Sequence, residues 1–151
     1  MPNNLRQHPE VPKLIGYLVA PSSISADNTP AALDITGYTN VKVIVGVGVG
    51  GITFSGTDKV EFKLRHGDGT VGGHTAVAAA DVVMGEGATL GSNGIIRSLI
   101  AAHAAATMRQ VDYVGDQTHL SCLADFDGTH GAATPLFVAV LGFRGRLNPP
   151  L

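Results

Sequence analysis

Between Val41 and Val49 the chain reads V-K-V-I-V-G-V-G-V, with valine at every odd position. A period of two held this long describes a β-strand with one wholly apolar face. The opposite face carries Lys42, Ile44, Gly46 and Gly48, thinning from a charge to no side chain at all. This segment decides the class: a sheet protein with a valine-lined core.

The flanking sequence extends that reading. Val60, Phe62 and Leu64 alternate with Lys59, Glu61, Lys63 and Arg65, so Lys59–His66 is a half-buried strand with a charged outer face. Gly67-Asp68-Gly69 after it is a hairpin signal. Leu136–Phe143 (L-F-V-A-V-L-G-F) is apolar on both faces and reads as a central strand covered on both sides. Further strands are expected at Leu14–Ala20, Leu33–Ile35, Gly94–Ile100, Met108–Val114 and Thr118–Phe126, with a weaker one at His74–Ala79. Pro21 to Pro30 and Asp81 to Asn93 read as loops. The alanines of Ala101–Thr107 favour a short helical turn. The fold class is all-β: an antiparallel β-sandwich or jelly roll of roughly seven to nine short strands, with at most one short helical turn and extended termini. Residues 1–12 form a proline-containing N-terminal arm, residues 13–143 the β-sandwich domain, and residues 144–151 a basic, proline-ended tail.

Composition narrows the functional classes. The length of 151 residues fits one domain with a real core. Charged residues make up only 15%, against about 25% in ordinary domains, so the surface is unusually neutral. A net charge of −2 offers no electrostatic footprint for nucleic acid. Cys122 is the only cysteine, which excludes an internal disulfide. The first ten residues lack an apolar signal-peptide core, and no apolar run reaches the ~20 residues of a membrane helix, so no membrane association is expected.

The chemical motifs dissolve on inspection. Gly46, Gly48 and Gly51 match G-x-G-x-x-G directly after a strand. A dinucleotide loop needs a helix next, and here Ile52-Thr53-Phe54-Ser55 leads towards another strand. His66, Asp68 and His74 form one possible metal set, and His119, Asp125, Asp127 and His130 a second. Neither has a recognised ligand spacing, and Asp-Gly at 68 and 127 already serves turns. Cys122 with His119 or His130 as base would be a nucleophile, but a lone cysteine in an apolar strand is a core residue by default. With five Phe, three Tyr and no Trp, aromatic platforms for glycans or single strands are scarce. The chain is therefore read as a non-enzyme, with no catalytic, cofactor or metal residues, and His103 as a loop residue set against a neighbour.

Several phrases resemble a known group. S-G-T-D-K-V-E-F-K-L-R-H-G-D-G-T (Ser55–Thr70), A-A-H-A-A-A-T (Ala101–Thr107), Asp112-Tyr113-Val114-Gly115 and A-D-F-D-G-T-H-G (Ala124–Gly131) are similar to small structural proteins of tailed phages and prophages of proteobacteria. The chain departs from them at Val71–His74, where a serine and an aromatic are expected. The resemblance implies a virion protein assembled in the host cytoplasm. It implies a capsid decoration or cement protein on the outer capsid surface, partnered by the major capsid protein and by copies of itself, with a homotrimer favoured. Contacts are then expected from Leu5, Arg6, His8 and Val11 in the arm, from His103, and from Arg144, Arg146 and Leu147 in the tail. A tail, neck or head-spike component and a host-glycan-binding module are the alternatives.

Overall fold

The computed structural model describes residues 12–85 and 87–144. Its strands run β1 (Lys13–Ile24), β2 (Leu33–Asp34), β3 (Asn40–Val47), β4 (Lys59–Gly67), β5 (Thr75–Ala76), β6 (Val82–Met84), β7 (Ile95–Leu99), β8 (Thr107–Tyr113), β9 (His119–Asp127) and β10 (Thr134–Phe143). They form two antiparallel sheets, β1-β10-β3-β8-β6 and β2-β9-β4-β5, with β7 also paired to β4.

The pairings nest. β1 pairs with β10, β2 with β9, β3 with β8 and β4 with β7. The chain is thus one long hairpin whose closed end is the β4–β7 pair. Rolling that hairpin puts β10 beside β3 and β9 beside β4, which completes the two sheets. This is jelly-roll winding of a β-sandwich, with β5 and β6 as an insert at the closed end.

The valine pattern is the reason the layers meet. Val41, Val43, Val45 and Val47 of β3 and Leu136, Val138 and Val140 of β10 are all buried against Val60, Phe62 and Leu64 of β4 and Leu120, Cys122 and Ala124 of β9. A one-residue slip in either sheet would turn this set outward, so the register is strongly specified. β10 is central, as expected, but only its inner face is fully buried; Pro135, Phe137, Leu141 and Phe143 are half-exposed.

Five details differ from the sequence reading. Ten strands are present among the described residues, two of them only two residues long. β1 continues through Pro21 to Ile24, where a loop was expected; register shifts along it let a proline-containing edge strand stay paired. β6 lies inside the segment read as a loop, held by pairing of Val82, Val83 and Met84 with β8. The alanine segment has no helical turn: residues 101–106 cross between the two sheets as bends. A piece this short does not repay helix nucleation when both ends are committed to strands. The two short 3-10 turns fall elsewhere, at Val71–Gly73 and Ser92–Gly94, and the Gly67-Asp68-Gly69 turn opens into a wider connection.

One sheet edge is closed without a strand. β2 covers only Leu120 and His119 of β9. Beyond it, the Asn28 side chain donates to the Cys122 carbonyl (3.1 Å) and accepts from the Ala124 N–H (2.7 Å). Asp27 accepts from the Phe126 N–H at 2.7 Å. Two side chains thereby occupy backbone groups that would otherwise invite another strand.

Candidate interaction face

The two outer faces of the sandwich are chemically opposite. On β4 and β9 the outer face is charged and neutralises itself. Lys59 bridges Glu61 (2.7 Å) and Asp127 (3.5 Å), while Lys63 bridges Glu61 (3.8 Å) and Asp125. Side-chain oxygens of Glu61, Asp125 and Asp127 lie within 4.8 Å of one another, but these two lysines sit among them. Ammonium groups already supply the positive charge a metal would bring, so the trio reads as a salt-bridge network.

The outer face of the other sheet is apolar. Cross-strand pairing puts Leu14 beside Leu141, Tyr17 beside Ala139, Ala139 beside Ile44, Phe137 beside Gly46, and Gly46 beside Met108. Val83 extends the surface to β6. Met108 is 72% exposed, Val83 55%, Leu14 46% and Tyr17 44%. Exposed Gln110, paired with Ile44, and one ion pair, Lys42 to Asp112 at 2.7 Å, interrupt it. Monomeric soluble proteins rarely leave such an area bare, and large exposed apolar patches mark binding surfaces. The glycine end of β3 belongs to this face, and the chain itself covers it: Phe137 lies over Gly46, which is buried.

The residues expected at contacts fall as follows. His103 is half-buried inside its own chain, its Nε2 3.0 Å from the Gly48 carbonyl and its ring stacked on Phe54 at 5.5 Å and 18°. Arg144 is exposed, with its guanidinium 5.2 Å above the Tyr38 ring. Leu5, Arg6, His8, Val11, Arg146 and Leu147 lie outside the described residues. Phe137, Ala139 and Leu141 alternate with the buried valines of β10, a pattern that reads in the sequence as a strand covered on both sides, whereas the structure leaves this face without a layer over it among the described residues. What the linear chain hides is that Tyr17 and Met108 stand in the same rows.

The histidines divide between the two ends of the sandwich. His119 opens β9 and His130 follows its far end, so the expected cluster of these two is pulled apart by the length of an extended strand. His130 instead packs edge-on against Phe126 at 4.8 Å. At the other end, His66 Nδ1 is 2.9 Å from the Tyr113 hydroxyl, and His119 Nδ1 accepts from the Gly69 N–H at 3.1 Å. Asp68 accepts from the Thr118 hydroxyl rather than facing a histidine. His74 is 3% exposed and its Nδ1 is 2.8 Å from Ser121 Oγ, a serine with no exposure. A serine–histidine pair sealed from solvent cannot meet a substrate; it ties the 68–74 connection to β9. Burial, and then the positive field of His119 and Arg65, holds His74 below the ordinary histidine pKa.

Cys122 is fully buried, and burial pushes its thiol up to about 12. That is the reverse of an activated nucleophile. The loop after β3 also departs from a phosphate cradle. No helix follows it, and a β-carbon at Gly51 would crowd the Thr134 side chain, so its glycines serve close packing. Compared with protein-family models, curated proteins and solved structures, the chain matches none.

Proposed function

We propose that this chain is a virion structural protein of the capsid-decoration type, which acts by surface association rather than by chemistry. The observation that carries the reading is the contrast between the two outer faces. The charged face is internally neutralised, and the apolar face built on Tyr17, Phe137, Ile44 and Met108 has no cover within the described residues. Copies of this chain are the occupants that face best fits, and a trimer matches the symmetry of capsid threefold positions. Binding to the major capsid protein then falls to the rest of the surface and to the terminal segments. Jelly rolls are common in viral capsid and lectin domains, which supports the reading only as an analogy of fold.

The test is size-exclusion chromatography with light scattering, followed by incubation with undecorated phage heads and imaging. A trimer and added density at local threefold positions are expected. Met108→Glu combined with Tyr17→Glu is expected to shift the protein to monomer, with an unchanged β-sheet circular dichroism spectrum and a Tm that no longer depends on protein concentration. A monomer at every concentration, with bare heads after incubation, overturns the proposal. A ring of six or twelve copies at the head–tail junction would move the assignment to the neck.

A further inference from the structure

Two arginines project from facing sheets into one space at the open side of the sandwich. Arg97 on β7 stands opposite Phe62, whose side chain is fully buried, so Arg97 occupies a core-facing position. Arg109 on β8 stands opposite Val45, also fully buried. Arg97 is only 8% exposed. Its Nη1 donates to the carbonyls of Val45 (3.0 Å) and Thr107 (3.4 Å), and its Nη2 donates to Thr107 Oγ1. Every one of these acceptors is uncharged. Among the described residues no carboxylate lies within ion-pair distance of either arginine.

A structural strut accounts for Arg97 alone. Its bonds join β7 to β3 and β8 and close the sandwich where the two sheets part. It does not account for Arg109, whose charge is brought up to a buried like charge. Burial first, and then repulsion from Arg109, lowers the proton affinity of Arg97. Two guanidiniums with no carboxylate partner among the described residues, at the mouth of a low-dielectric space, cost stability that a counter-anion would restore. Both arginines line a small cleft of about 180 Å³, together with Thr89, Gly91, Ile95, Ile96 and Ser98. A water's share of liquid volume is about 30 Å³, so the cleft has room for one small oxyanion and a few waters.

We infer that Arg97 and Arg109 form a binding site for a small oxyanion, a phosphate or a carboxylate, held by the guanidinium forks from both sheets. Planar, multi-donor guanidiniums suit such groups. The site is independent of the capsid reading, because it lies between the sheets and not on the apolar face.

Thermal unfolding of the full chain in chloride, inorganic phosphate and acetate at matched ionic strength tests it. At about ten times its dissociation constant, phosphate is expected to raise Tm by about 4 °C over chloride. Arg109→Gln, which removes a side chain with no hydrogen bond of its own here, is expected to keep the fold and abolish the shift. Phosphorus NMR line broadening of phosphate by the protein, lost in the same variant, provides a second readout. A shift with acetate but not phosphate assigns the site to a carboxylate. Equal Tm in all three salts with no line broadening, or a phosphate effect retained in Arg109→Gln, overturns the inference.

Discussion

Phe137 lies across Gly46 on the neighbouring strand. The two residues are directly paired, and a β-carbon at position 46 would crowd the ring, with Cδ1 at 2.8 Å and Cε1 nearer still. The ring shields backbone that a glycine leaves bare, and the glycine makes room for the ring. Gly46→Ala is therefore expected to cost about 1–2 kcal/mol, because it displaces Phe137. In a Phe137→Ala background the same change should be neutral or slightly stabilising, since alanine suits a strand better than glycine. Urea unfolding of the four proteins checks this. Equal costs in both backgrounds would show that the pair does not interact.

The side-chain patch on β9 makes a second prediction. Asn28→Ala removes one donor and one acceptor from the Cys122 carbonyl and Ala124 N–H, with an expected cost of about 1–3 kcal/mol. Asn28→Asp keeps the acceptor but turns a carboxylate oxygen towards the Cys122 carbonyl, so it should cost at least as much as the alanine change. The alanine variant also exposes a strand edge, so light scattering on storage should rise. Stability and solubility equal to the parent would refute the edge role.

The pH response follows from His74. Its pKa is lowered in the folded state, so the unfolded chain binds its proton more readily. Above pH 6.5 both states are neutral at this group and it makes no difference. As pH falls below that value the unfolded state gains protons first, and stability drops until the folded-state pKa is passed. His74→Gln should flatten the fall in Tm between about pH 7 and pH 5. An unchanged slope would assign the fall to other groups.

Cys122 should be inert. With its thiol buried and its pKa raised, a disulfide exchange reagent at pH 8 is expected to label almost none of the native protein. Addition of denaturant should release one reactive thiol per chain. Fast stoichiometric labelling of the native form would contradict the placement.

Much of the architecture was legible before the fold was known. The valines of β3, the alternation in β4 and the apolar run of β10 identified their strands to within a residue or two. Hydrophobic period is a local property of the chain, and these segments are long enough to display it. β6 and the end of β1 were not legible, because glycines, serines and a proline mask strands that exist only through their partners. The alanines at 101–106 misled for the same reason: propensity favoured a turn of helix, and the need to span two sheets overrode it.

The sequence by itself determined that this is a β-protein with a valine core and a cysteine in an apolar strand. It did so because burial patterns and turn residues act over a few neighbours. Tertiary structure alone decided the nested winding, the ring of Phe137 over Gly46, the separation of His119 from His130, and the meeting of Arg97 with Arg109. Each of those joins residues distant in the chain. Their energies depend on which strand lies beside which, and a linear pattern does not carry that information. The glycines of β3 show the division most clearly: period two announced the strand, and only the neighbouring strand revealed what fills the space they leave.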